Sequence, residues 1–266
     1  MRRPRNLQPN TFVHITNRCE GFFLEEVEML SFFLKCLREA CLENGIVILA
    51  YCILANHLHL LSETGQEVEK LSKMMHDLET KVACYYNRCK GRRGHFWQDR
   101  FHSTTIASQG HFRNVVSYID ANPLNHKDGF DPINWRYCSY HELQVDSENI
   151  SLIDRARLIK AMKMVNIRQF TEWQRQMMEK RKGTEAIAKA QEAPRFRRHY
   201  AVGTRQDLKL LQNTLRKHGI FSYGSFLEED ENHVTWWALD LCCENFAKRK
   251  AAWKSPVKIG IAFHEA

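Results

Sequence analysis

Tyr51–Glu63, YCILANHLHLLSE, reads as an apolar strand, a break at Asn56 and a second strand that carries His57 and His59. Successive side chains of a strand point to opposite faces, so the two imidazoles share one face while Leu58 and Leu60 enter a core on the other. Two imidazoles placed this way are half of a metal site. The bland reading of the same pair is a solvated sheet face that binds nothing.

The segments on either side supply a topology. Thr11 to Thr16, TFVHIT, is a β-rich run with Phe12, His14 and Thr16 on one face. Apolar residues then recur at helical spacing from Glu25 to Asn44 (Val27, Leu30, Leu34, Leu37, Cys41), and Asn44-Gly45 is a stop signal. Strands at 46–54 and 56–62 follow, and then a second helix over 67–88 with Leu71, Met74, Leu78 and Val82 along one side. After a basic turn, KGRRG, the stretch HFWQDRFHSTTI is a fourth strand or extended segment. Ser108 is the N-cap of a third helix that buries Phe112, Val115, Val116 and Ile119 and stops near Asn122, because Pro123 disfavours helical geometry before it. This order predicts an α+β fold: a ferredoxin-like antiparallel sheet with helices on one face, over residues 1–150. Residues 151–266 read as a mainly α-helical C-terminal region: helices at 152–165 and 170–189, and a small helical pack around Trp236, Trp237, Leu239 and Leu241.

Composition narrows the partners. With 44% hydrophobic and 26% charged residues and no apolar run of bilayer length, the chain reads as a folded protein with no membrane partner. MRRPRNLQPN lacks the apolar stretch of a secretory signal, which points to the cytoplasm, and nine cysteines without a CxxC pair fit reduced thiols there. The net charge of +8 is uneven. Residues 1–150 hold 17 Lys+Arg against 18 Asp+Glu, and 151–266 hold 22 against 13. Residues 155–217 carry 17 against 5, densest at RFRRHY, where Arg195, Arg197 and Arg198 lie. A basic region appended to a near-neutral one predicts a polyanion partner, with a solvated helical surface as the alternative.

Tyr118 and Asn122 sit four residues apart and so stack on one face of the third helix. Should that face look at His57 and His59, a divalent cation would meet two imidazoles and an amide oxygen beside a phenol. Such a set suits phosphodiester cleavage, the cation offsetting charge in the transition state. A phenol of pKa about 10 needs such help to act as a nucleophile.

NHLHLL at 56–61 resembles the His-hydrophobic-His motif of the HUH single-tyrosine transposases, and YIDANP at 118–123 resembles their nucleophile helix, especially in the REP-associated tyrosine transposases. HITNR at 14–18 and GHFWQDRF at 94–101 resemble two further blocks of that family, in the same order. The resemblance implies a Mg²⁺ or Mn²⁺ cofactor held by His57, His59 and Asn122, and Tyr118 as nucleophile on single-stranded or hairpin DNA. It also implies a 5′-phosphotyrosine intermediate that a 3′ hydroxyl reverses without ATP, in a monomer or homodimer. Ala55 stands where relatives usually have proline, and Asn122 where many have glutamine. Softness of the donors alone would favour zinc.

Arg92, Arg93 and Arg100 are phosphate contacts if the glycine-rich turn faces DNA, and Trp97 is a platform for unpaired bases, with core packing as its alternative. His14, His95 and His102 could approach the metal but read first as surface or DNA-contacting histidines, and Tyr85 and Tyr86 read as structural. Two rivals remain on this sequence: a non-catalytic, RNA-recognition-like binding module with exposed aromatics, and a replication-initiator or relaxase-type HUH nuclease.

Overall fold

Strand β2 (Val47–Ile53) and strand β3 (His57–Glu63) pair antiparallel across the break at Asn56, where the Leu54 N–H donates to His57 O at 2.8 Å. β1 (Phe12–Arg18) lies antiparallel to β3 on one side and to β4 (His102–Ile106) on the other. In this computed structural model, which describes residues 7–21, 25–125, 129–145, 151–182, 201–217, 222–229 and 235–241, the sheet continues through β5 (Ala201–Thr204), β7 (Thr235–Leu241) and β6 (Ser222–Glu229). The strand order is β2-β3-β1-β4-β5-β7-β6, with only the β4/β5 pair parallel.

Helices α1 (Val27–Asn44) and α2 (Val68–Cys89) form where the apolar spacing places them, and Gly45, at φ +63°, closes α1 in the left-handed geometry that glycine adopts without strain. They cover the sheet face that carries Val13, Ile15 and Asn17; Asn17 Nδ2 donates to Glu79 Oε1 of α2 at 2.7 Å. Helix α3 (Gln109–Asp120) lies on the opposite face, where Tyr118 meets His14 and His59. Helix α3 therefore adds a layer on the face opposite α1 and α2. The reason is in the strands: Ile48–Ile53 are buried without alternation, and a strand apolar on both sides needs a layer on each. Ser108 caps α3 as expected, its Oγ accepting from His111 N at 3.2 Å, and the chain turns into a 3₁₀ helix at Asn122–Asn125 around Pro123.

Three further helices follow: α4 (Ser139–Gln144), which the sequence pattern did not signal, α5 (Arg155–Met162) and α6 (Ile167–Arg181). Leu158, Met162, Phe170 and Met178 are each at most 2% exposed and belong to the same core as Val13 and Ile15. Glu142 anchors the connection. Its carboxylate accepts from Tyr51 Oη at 2.9 Å, Ser151 Oγ at 2.8 Å and the Leu152 and Ile153 N–H groups at 3.1 Å each. A boundary at residue 150 thus runs through one hydrophobic core.

Beyond residue 200 the expected helical pack is in fact a strand. Trp236 lies opposite Thr204, Trp237 opposite Gly203 and Leu239 opposite Ala201, with helix α7 (Arg205–Lys217) between β5 and β6. A short apolar run does not distinguish helix from strand by its period, and here the partners come from outside the run. β5 docks on β4 through the Ala107 N–H to Val202 O bond of 3.1 Å, and so closely that a Cβ at Gly203 would sit 3.1 Å from Ala107 Cβ. Among the described residues no helix is long and apolar enough to cross a membrane.

Candidate catalytic site

The β1/β3 register places Thr16 opposite His59 and Arg18 opposite His57, so His14 is the diagonal neighbour of His59 on the same face. His59 is fully buried and His57 partly exposed. The two rings meet edge to face with centroids 5.1 Å apart. Each Nδ1 has a partner: His57 Nδ1 lies 2.6 Å from Asn56 Oδ1, and His59 Nδ1 lies 3.0 Å from His14 Nε2. A metal-binding imidazole is normally oriented this way, one nitrogen held by a neighbour so that the other presents its lone pair.

Tyr118 reaches this group from α3 because Phe112, Val115, Val116 and Ile119 point the other residues of that helix inward. Its ring stands 5.3 Å from His59 at 86° and 6.0 Å from His14 at 72°. Asn122 is 2% exposed, and its Nδ2 donates to Tyr118 O at 2.8 Å. That bond holds the helix end and makes the amide oxygen the atom Asn122 could offer a cation. Among the described residues no three His, Cys, Asp or Glu side chains are arranged to hold a metal ion.

The structure thus brings His57, His59 and Tyr118 together with His14, which is 4% exposed rather than at the surface and takes the second of its two readings, a place beside the paired histidines. The available signal was its shared face with Thr16, but only the strand register ties it to His59. His95 and His102 are exposed, as expected. The turn bearing Arg92, Arg93 and Arg100 lies at the His57 end of the sheet, where Gln98 N donates to Arg18 O and Cys19 bridges Trp97. Arg93 and Arg100 are exposed, while Arg92 is partly buried and donates to His95 O at 3.2 Å. Trp97 is partly buried, packs edge-on to Phe33 and Phe96, and donates from Nε1 to Glu79 O at 3.0 Å. Tyr85 stacks on Phe32 and Tyr86 packs on Phe96, both structural. Arg195, Arg197 and Arg198 lie outside the described residues.

Two buried titratable groups lie on the same helix. Burial pushes Asp120 up to about 6 from 3.8, against the hydrogen bonds from Ser139 Oγ (2.5 Å) and Gln174 Nε2 (2.7 Å) and the charge of Arg181. Burial pushes His111 down to about 3 from 6.5. Their linkage to stability has opposite signs. The folded state holds the Asp120 proton more tightly than the unfolded chain does, so that contribution is full below pH ~4 and is lost as pH rises through ~6. His111 stays neutral when folded, so its contribution is full above pH ~6.5 and is lost as pH falls toward ~3. Thermal unfolding at pH 7.5 and 4.5 separates the two. His111→Gln should gain on the wild type by roughly 3 kcal/mol over that fall, whereas Asp120→Asn should lose ground over the same interval.

Residues 11–122 match the family model described as "Transposase IS200 like". Over that segment the chain is similar to the IS200-like transposases. The chain is similar to a Haemophilus influenzae protein that carries the name of a REP-associated tyrosine transposase, with 28% identity over 120 residues, 41% of this chain and 67% of that relative. Among solved structures it is similar to a REP-associated tyrosine transposase bound to a REP hairpin (TM-score 0.42, 20% identity, covering 53% of this chain and 84% of that one). It is also similar to a Deinococcus radiodurans protein named for a transposase (TM-score 0.33, 14% identity, covering 43% and 92%). The IS200-like segment contains His14, His57, His59 and Tyr118 and ends at Asn122. Helices α5 and α6 lie beyond the matched segment.

Proposed function

We propose that this chain is an IS200-like transposase that cleaves and rejoins single-stranded or hairpin DNA with Tyr118 as nucleophile. The observation that carries the reading is the Tyr118 ring set 5.3 Å from His59, with His57 as the next ring along the strand. Tyr118 Oη attacks a backbone phosphorus and loses its proton, the P–O3′ bond breaks, and the departing 3′ oxygen takes up a proton. The tyrosine is then esterified to the 5′ phosphate. One phosphodiester has replaced another, so attack by a second 3′ hydroxyl reverses the step without an external energy source.

The site would hold a divalent cation through His57 and His59 with the Asn122 amide oxygen; donor softness alone would favour zinc, and it is the resemblance to the transposases that points to Mg²⁺ or Mn²⁺. Two neutral imidazoles and an amide leave the remaining positions to water and phosphate oxygens. Such a cation supplies Lewis-acid polarisation of a phosphoryl oxygen. The chain's own part is orientation: Asn56 and His14 fix the two imidazoles, and the His59 and His14 rings fix the phenol. The exposed Arg93 and Arg100, at the same end of the sheet as His57, are the DNA-backbone contacts of this reading, with Arg92 beside them. A non-catalytic RNA-recognition-like module would need aromatics on an open sheet face. Phe96 and Phe101 are buried instead, and α3 covers the face that bears the histidines.

The test is incubation with a library of single-stranded DNA hairpins, followed by denaturing gels. A protein–DNA adduct should form with Mg²⁺ or Mn²⁺ and be absent in EDTA. Folded protein that binds the hairpins yet forms no adduct with either ion would overturn the proposal.

A further inference from the structure

Arg181 ends α6, outside the segment that matches the IS200-like transposases, yet it reaches the nucleophile helix. Its Nε donates to Ser117 Oγ at 2.7 Å, and Ser117 immediately precedes Tyr118. The side chain is partly buried. A guanidinium withdrawn from water normally has a carboxylate beside it, because an uncompensated charge there is costly. Among the described residues no carboxylate forms an ion pair with Arg181. The acid next to it, Asp120, has its two oxygens engaged by Ser139 and Gln174. On the same helix end, Arg175 pairs with Glu172 at 3.1 Å and Lys182 with Glu179 at 3.1 Å. Burial lowers the Arg181 pKa, and the Tyr118 and Asp120 side chains oppose that shift.

We infer that Arg181 binds a phosphate of the DNA strand that Tyr118 attacks, its Nη groups taking the non-bridging oxygens. This rests on the reading of Tyr118 as nucleophile. The guanidinium fork matches two phosphate oxygens, and anchoring Nε on Ser117 fixes the direction of the fork before DNA arrives. The incoming phosphate supplies the direct ion pair that Asp120, engaged by Ser139 and Gln174, does not make. The packing of α6 on α3 then has a chemical purpose: it carries a substrate-binding residue to a site whose other members all lie before residue 123.

The experiment uses the full chain and the hairpin that the wild type itself selects from the library, recovered from the adduct. Arg181→Met keeps the aliphatic stem and removes the charge. The DNA concentration for half-maximal adduct formation should rise about 10- to 100-fold, the usual weight of a hydrogen bond to a charged group. The maximal rate should fall less, and Arg181→Lys should recover part of the loss. Methylphosphonate is then placed at each phosphate around the cleaved bond in turn. At the contacted phosphate the wild type should lose as much as the variant already has, and Arg181→Met should lose nothing more. Unchanged half-saturation in Arg181→Met, or equal methylphosphonate penalties in both proteins at every position, would overturn the inference. Arg181→Gln, which retains a donor for Ser117, takes the place of Arg181→Met should that variant fail to fold. A wild type that forms no adduct breaks the Tyr118 reading instead; Arg181 is then judged by binding of the unselected hairpin library, where equal affinity of wild type and variant overturns it.

Discussion

Tyr118→Phe should abolish the covalent protein–DNA adduct, a fall of more than about 10³-fold, because no other group nearby replaces the lost nucleophile. The same variant should bind hairpin DNA within about twofold of the wild type. The substitution removes one oxygen and leaves the ring that packs on His59 at 5.3 Å and His14 at 6.0 Å, so the site's shape survives. Tyr86→Phe serves as the control, since that ring lies against Phe96 in the core and should leave adduct formation intact. Gel-resolved adduct and fluorescence anisotropy on one DNA measure both quantities. Adduct at the wild-type level from Tyr118→Phe would show that another residue attacks.

What could be read from the sequence follows the range of the forces involved. Helices α1, α2 and α3 announce themselves because period, cap and stop signal all lie within a few turns, as with Ser108 and Gly45. The HxH strand and the Tyr118 helix are equally local, so each half of the site was visible, and a conditional statement could join them. Their meeting depends on which sheet face α3 covers, and that is decided by burial of both faces of β2. His14 stayed undecided between the site and the surface because its role is set by a register between strands more than 40 residues apart in the chain (|i−j| of 45). Arg181 was counted in the basic excess but could not be singled out, since its place depends on α6 packing against α3. The strands beyond residue 200 were missed for the same reason. β5 finds its partner at β4, and Trp236 and Trp237 take their strand geometry from β5.

His57→Ala and His59→Ala should each lower cation-dependent adduct formation by more than about 10²-fold, but they should differ in stability. His59 is fully buried, and truncating it opens a hole beneath Tyr118 and deletes the 3.0 Å bond from His14. A cost of about 1–3 kcal/mol follows from the lost packing and the buried polar partner. His57 is partly exposed and its Nδ1 partner, Asn56, precedes it in the chain, so water replaces what the substitution removes and the expected cost is below about 1 kcal/mol. Thermal unfolding without added metal separates the two, and a Mn²⁺ titration of adduct formation reads the binding defect directly. Both variants should need more Mn²⁺ than the wild type. Because His57→Ala leaves the fold near its original stability, its loss of activity carries the argument: a wild-type Mn²⁺ requirement in that variant, or wild-type adduct formation under thorough chelation, would show that the paired histidines order Tyr118 without holding a metal.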